Sequence, residues 1–299
     1  MSLEVLSLSG DARCFTLDLE WIGDITAVRT VRIFSIALVH IATGEEFSAV
    51  VDPGVPHSQL TEFPTFPGCR TVTRSFLRRN HALPFKVAFS KAVEFAKKHA
   101  SKMPTTTALP NPIMICHGAF RGDMPALESA LRKTSTPFPN WRFADSLYFF
   151  RRVLPEAEGY KLSDVAAAVG VLPESAGRAH DALPDARTLY TALKRGAWSH
   201  FYGAVYSMGM TPLLNVPGIG LQGQNQLFFF NIRSVEDLLN FSLRCRMATT
   251  EPQSAPNQQF AAHKWRIEQC LLHMGLKPQP ASSIADFCMG CLKVFDEND

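Results

Sequence analysis

No run of apolar residues in this chain approaches the ~20 that a membrane-spanning helix requires. Its first ten residues, Met1 to Gly10, lack the basic start and long apolar stretch of a secretory leader. No membrane attachment is expected. Cysteine is sparse, scattered and odd in number: Cys14, Cys69, Cys116, Cys245, Cys270, Cys288 and Cys291 in 299 residues. That excludes a small disulfide scaffold and points to an intracellular protein with reduced thiols, nuclear or cytoplasmic alike. Charge is modest, 19% of residues with a net +3, too small an excess to argue by itself for a polyanionic partner. There is no internal repeat and no long low-complexity tract. What is abundant is apolar surface: 46% of residues are hydrophobic, which allows one large domain or a medium one with a small companion.

The order of elements is mixed. Cys14 to Glu20, Val31 to His40 and Glu46 to Asp52 read as strands, the last broken by Pro53-Gly54, and their short spacing suggests an antiparallel meander. Pro84 then opens a helix in which Phe85, Ala88, Phe89, Ala92, Val93 and Ala96 recur at helical spacing. Pro112 to Cys116 and Trp141 to Ala144 read as short strands. Helices are expected at Met124 to Leu131, Ser146 to Val153, Ser163 to Val169 (Ser-capped, with Asp164 in its first turn) and Asp181 to Arg195. This is an α/β pattern of single-domain size.

A second unit starts near Met210 and reads as all-helical. Its expected helices are Leu221 to Phe230, a Ser234-capped helix through Phe241, Gln258 to Met274 and Ser282 to Val294, with Ala248 to Asn257 as a loop.

Three separated patches carry chemistry. In Phe15-Thr-Leu-Asp18-Leu-Glu20, alternate strand residues put Asp18 and Glu20 on one face. The apolar residues between them mark a core strand, where paired acids are costly unless a cation lies between them; oxygen ligands suit Mg²⁺ or Mn²⁺. In His117-Gly-Ala-Phe120-Arg-Gly-Asp123, Asp123 opens a helix, a favoured place for any carboxylate. In His180-Asp-Ala-Leu-Pro-Asp185, a histidine precedes a helix with an acid in its first turns. Its near-neutral titration suits a base that takes a proton from water.

Taken in order, the patches resemble the DEDDh branch of the DnaQ-like 3′–5′ exonucleases, within the ribonuclease-H-like fold, over roughly the first two-thirds of the chain. Asp18 and Glu20 match the first motif, Asp123 the second with His117 and Leu127 flanking, and His180 with Asp185 the third, including its five-residue step. Asp145 and the run Tyr160 to Ala166 look like the family's connecting helices. Two positions depart from the pattern. Asp123 follows His117 by six residues rather than five, a step that a bulge at Gly122 could absorb, and the first motif continues as Trp21-Ile22-Gly23 in place of small hydroxyl residues.

The resemblance implies a ribonuclease-H-like mixed sheet flanked by helices at 1–205, followed by a small all-α domain at 206–299. It also implies two Mg²⁺ or Mn²⁺ ions and release of nucleoside 5′-monophosphates from 3′ ends, DNA being favoured slightly over RNA. Asp18 would bridge both ions, Glu20 and Asp185 would hold the nucleophile-side ion, Asp123 would serve the second, and His180 would be the general base. Trp21, Ile22, His117 and Phe120 are candidates to touch the substrate. The alternative is a catalytically silent nucleic-acid- or polymerase-binding module that retains the fold.

Between Arg70 and Lys102, nine basic residues, Arg78 and Arg79 among them, face one acid, Glu94. That density is a candidate phosphate track for a single strand, or else a solvated helix face. In the second unit, Leu214 to Gly220 with Ile232 to Leu238 resembles a helix–hairpin–helix unit that could hold a DNA phosphate, though Gln222 and Gln224 stand where a basic residue is usual. These helices could equally recruit a replication or repair protein. Cys270-x-x-His273 and Cys288-x-x-Cys291 have spacing that zinc could use, but both pairs fall in apolar helical runs where cysteine is a common core residue.

Overall fold

The computed structural model describes residues 2–8, 11–23, 31–56, 60, 72–101, 111–172, 182–196, 198–209, 216–219, 223–224, 226–227, 230, 232, 234–247 and 256–296. Its elements in chain order are β1 (Ser2–Ser7), β2 (Cys14–Ile22), β3 (Arg32–His40), β4 (Glu46–Asp52), α1 (Arg74–Arg79), β5 (Leu83–Pro84), α2 (Phe85–Ala100), β6 (Ile113–Cys116), α3 (Asp123–Lys133), β7 (Arg142–Asp145), α4 (Ser146–Val153), α5 (Leu162–Ala168), α6 (Ala182–Arg195), β8 (His200–Ser207), α7 (Val235–Met247), α8 (Pro256–His273) and α9 (Pro278–Asp296).

The strands form one eight-stranded sheet in the order β1-β8-β7-β6-β2-β3-β4-β5. β2, β3 and β4 are the antiparallel meander read from the sequence, and β6 and β7 join β2 in parallel. Among the five strands from β4 to β7, only β3 runs against the others. This is the ribonuclease-H-like arrangement, a mixed sheet flanked by helices, and the helical C-terminal segment follows it. β3, Arg-Ile-Phe-Ser-Ile-Ala-Leu-Val-His, is buried along almost its whole length, which explains an apolar run interrupted only by Ser35.

The chain divides into two compact units, Ser2–Gly209 and Met210–Asp299. A border at 205 would cut β8, whose ladder with β7 continues to Ser207. β1 and β8 were not read from the sequence, nor was α1, a six-residue helix capped by the Thr73 hydroxyl on the Phe76 N–H (3.0 Å). α5 begins at Leu162 rather than behind a Ser163 cap, because the Asp164 carboxylate accepts the Lys161 N–H (3.1 Å) and so closes the turn from within.

β2 alternates as far as Glu20, and this positions the site. The Phe15 ring packs on Phe95 and His99 of α2, whereas the Thr16 hydroxyl donates to the Ala186 carbonyl of α6 (2.9 Å). From Phe15 to Glu20 the even-numbered residues of β2 therefore face α6 and the odd-numbered ones α2; a register shift between Glu20 and Trp21 ends this alternation. Ala182 and Ala186 pack against Ala37 and Val39, and these small side chains let α6 lie close on the sheet.

In the second unit, Leu238 of α7, Ile267 and Leu271 of α8, and Ile284 and Cys288 of α9 are fully buried. α8 and α9 start earlier than expected, at Pro256 and Pro278, since a first-turn proline suits a helix whose N–H there has no partner. The Ser234 hydroxyl caps α7 through the Asp237 N–H (3.2 Å). The Pro217-Gly218 turn is closed by Ile219 N–H to Val216 O (3.1 Å), with Gly218 at φ 84° as a type II turn demands. A side chain at Gly218 would press on Ser283 and Pro280 of α9, so this turn is packed against a helix. Residues 210–215, 220–222 and 248–255 of the hairpin and loop readings, Gln222 included, lie outside the described residues, and Gln224 is buried.

Candidate active site

Asp18 and Glu20 project from β2 toward α6, whose first turn carries Asp185. The three half-buried carboxylates each place an oxygen within 4.8 Å of the others. Local chemistry explains the meeting. Period-two alternation pairs Asp18 with Glu20, and the Thr16–Ala186 bond pins the first turn of α6 beside them. Three like charges at this spacing repel one another, and a hard cation among them offsets the repulsion. The donor set is oxygen only, so it fits Mg²⁺ or Mn²⁺. Among the described residues this is the one group of three or more potential ligands. Cys270, His273, Cys288 and Cys291 form no such group: Cys288 is core, and His273 Nδ1 bonds the Gln269 carbonyl (2.7 Å).

Asp123 stands one step away. β6 accompanies β2 only from Cys14 to Thr16, so Leu19 has no strand on that side, and its N–H donates to Asp123 Oδ1 (3.0 Å). Burial pushes the Asp123 carboxyl up to about 7, against the lowering effect of the N–H bonds from Leu19 and from Asp123 itself. The Cys116 thiol, at the end of β6, is raised well above its ordinary value by burial and then by the charges of Asp123, Asp145 and Asp18. The acids therefore converge on one region.

The loop presenting Asp123 is held by a residue to which the sequence reading gave no site role. Asp145 caps α4 through the Leu147 N–H (2.9 Å) and also accepts the Gly118 N–H (2.9 Å) and the Phe120 N–H (3.4 Å). Burial lifts its carboxyl to about 6. A lone Asp before a helix signals only a cap; its second task, gripping the loop ahead of Asp123, requires the fold. The six-residue step from His117 to Asp123 is taken up by a turn in which Arg121 and Gly122 both donate to Gly118 O. The left-handed residue there is Gly118, at φ 81°, whereas Gly122 caps α3 at φ −125°. The bulge expected at Gly122 is thus a turn built on Gly118.

The other candidate residues fall in different places. His117 Nε2 donates to the Tyr160 carbonyl (2.7 Å) and its Nδ1 lies 3.0 Å from Ser146 Oγ, so both ring nitrogens are engaged within the fold. Burial lowers its pKa. Phe120 is 2% exposed, its ring against Tyr148 and Tyr206, and so sits in the core. Ile22 packs on the Phe34–Leu77 cluster. Trp21 is half-buried, its ring edge 3.3 Å from where a side chain at Gly122 would begin. His180 lies outside the described residues.

Arg78 and Arg79 are exposed at the end of α1. Lys86, Lys91, Lys97 and Lys98 lie on the solvent side of α2, which covers the sheet face opposite the three carboxylates. Arg74 pairs with Asp52 (3.2 Å) and Lys98 with Glu45 (3.6 Å). Arg70 and Lys102 lie outside the described residues.

No family model matches the chain, and no curated protein matches it in sequence. Among solved structures it is similar to the nuclease domain of 3′hExo, a DEDDh family member, bound to rAMP: 15% identity and TM-score 0.47 over 61% of this chain and 90% of that one. It is also similar to a 3′-exonuclease solved for its 3′-end-specific recognition of histone mRNA stem-loop, at 15% identity and TM-score 0.48 over 62% of this chain and 64% of that one. A further likeness is to E. coli exonuclease I in complex with a dA16 oligonucleotide, at 15% identity and TM-score 0.41 over 60% of this chain and 40% of that one. At TM-scores under 0.5 these are likenesses of backbone course and carry no chemistry.

Proposed function

We propose that this protein is a metal-dependent 3′–5′ exonuclease that releases nucleoside 5′-monophosphates from nucleic-acid ends. The observation that carries the reading is the gathering of the Asp18, Glu20 and Asp185 carboxylates within 4.8 Å of one another. These three would hold two divalent ions, with Asp123 serving the second from across Leu19. When bound, such ions neutralise charge on the attacked phosphate and lower the pKa of the attacking water.

The chain's own part is positional and acid–base. β2 and α6 keep the carboxylates facing one another, and the Leu19 N–H aims Asp123 at β2. His180, five residues before Asp185, takes the proton from water, as an imidazole titrating near neutrality can.

The test is incubation of the full chain with end-labelled single- and double-stranded DNA and RNA, with Mg²⁺, Mn²⁺ or chelator. A ladder shortening from the 3′ end only when metal is present is the expected result. Cleavage that persists in excess chelator overturns the metal mechanism. Binding without cleavage under every condition assigns the catalytically silent alternative instead.

A further inference from the structure

Beside the carboxylates, one surface alternates guanidinium and aromatic groups. Trp21 follows Glu20 on β2 and covers Gly122, the neighbour of exposed Arg121. Tyr148, in the first turn of α4, stacks its inner side on Phe120 with ring centroids 6.5 Å apart. The guanidiniums of Arg121 and Arg151 both act on its phenol. Exposed Arg151 lies between two rings, its Cζ 6.0 Å from the Tyr148 centroid and 5.6 Å from that of Tyr160. Asp145, whose charge also acts on the Tyr148 phenol, is buried and occupied by backbone N–H groups. Asp164 is taken up by the Lys161 N–H.

Two exposed cations interleaved with aromatic faces suit a strand that offers phosphates and unstacked bases in alternation. The Tyr148–Arg151–Tyr160 stack ends on Phe120 at one side, so the planar face on which a base would lie is the far one of Tyr160. A duplex end offers phosphates but keeps its bases stacked inside, so it would use the cations alone. We propose that Arg121, Tyr148, Arg151 and Tyr160 form a track for a single nucleic-acid strand, with the two arginines taking phosphates and the Tyr148–Arg151–Tyr160 stack taking a base. The direction of the track, running toward Glu20 past Trp21, rests on the exonuclease reading; binding to it does not.

The test is fluorescence-anisotropy titration of the full chain in chelator, where nothing is cleaved. The probes are labelled DNA and RNA oligonucleotides of ~10 nucleotides, within the span such surfaces cover, together with the matching duplex. Arg151→Ala should weaken single-strand binding about tenfold, and Arg121→Ala with Arg151→Ala more. The double variant should also flatten the dependence of log affinity on log salt by about 0.7 for each phosphate that is no longer neutralised. Arg151→Lys keeps the charge and loses the plane, so it should fall between wild type and Arg151→Ala. Wild-type affinity and salt slope in the Arg121/Arg151 double variant overturn the track, whatever the enzyme does. A protein that fails to cleave but loses binding in that variant keeps the track and refutes the exonuclease reading. Equal losses for single strand and duplex leave only a general phosphate patch and overturn the assignment of a single strand.

Discussion

The Thr16 hydroxyl and the Ala186 carbonyl, 170 residues apart in the chain, are 2.9 Å apart in the fold. This bond lies two residues from Asp18 on one side and one residue from Asp185 on the other, so it locates the two carboxylates relative to each other. Thr16→Val keeps the shape and removes the donor. It should cost about 1 kcal/mol in chemical denaturation, the usual net worth of such a bond. It should also weaken Mn²⁺ binding roughly tenfold, the effect expected of a group that orients metal ligands. Calorimetric titration of Mn²⁺ checks this; unchanged affinity would show that α6 holds its place without the bond.

Asp18→Asn and Asp185→Asn each remove one charge from a crowded set. Metal-free thermal stability should stay level or rise slightly in both, because repulsion falls. Nuclease activity should be almost abolished. The stabilisation by cation, about 2.7 kcal/mol at a hundredfold excess over Kd for a single site, should shrink in both variants. Thermal melts with and without Mn²⁺ read all of this, and an Asp18→Asn protein that trims a labelled strand at the wild-type rate would end the assignment.

Burial raises Asp145 to about 6 and Asp123 to about 7, from an ordinary 3.8. The folded protein therefore holds protons that the unfolded chain releases. The stability these groups contribute is complete below pH 3.8 and is lost as pH rises through about 6 and then about 7. For Asp145 the loss is about 3 kcal/mol. Urea midpoints measured in chelator should fall between about pH 4 and 7.5, and Asp145→Asn should flatten the lower part of the curve. Saturating Mg²⁺ should offset the upper part, where Asp123 ionises. Midpoints that climb with pH over this window would contradict the burial argument.

His180→Ala should reduce turnover by ~10²–10⁴-fold, the range for a lost general base. It should also remove the limb of the pH–rate profile that an imidazole creates. A variant with the wild-type profile would take His180 out of the mechanism.

Particular residues show where sequence reading stopped. The meander and the helices from Phe85 to Arg195 were legible because apolar spacing of two or of 3.6 residues is written directly in the chain. β1 and β8 were not, since their partners are each other and β7, and the Gly203 in β8 obscures its pattern. The basic run from Arg70 to Lys102 is conspicuous as a string of letters. Its density says nothing about which face of the sheet α2 will cover, and α2 covers the face away from the carboxylates. Phe120 and His117 sit next to Asp123 in sequence, yet one is core and the other a brace. Arg151 and Tyr160 are nine residues apart in an unremarkable stretch, and the stack they share with Tyr148 exists only in the fold.

The sequence alone determined the strand pairing of Asp18 with Glu20, the helical position of Asp185 and the mixed α/β class, because each follows from backbone periodicity within a few residues. Only the tertiary structure decided that Asp185 closes on the strand pair, that Asp145 grips the loop ahead of Asp123, and that α2 covers the opposite face of the sheet. Those relations join segments far apart in the chain. They are set by the close approach of small side chains such as Ala182 and Ala186, and by buried polar groups that must find partners wherever the packed sheet brings them.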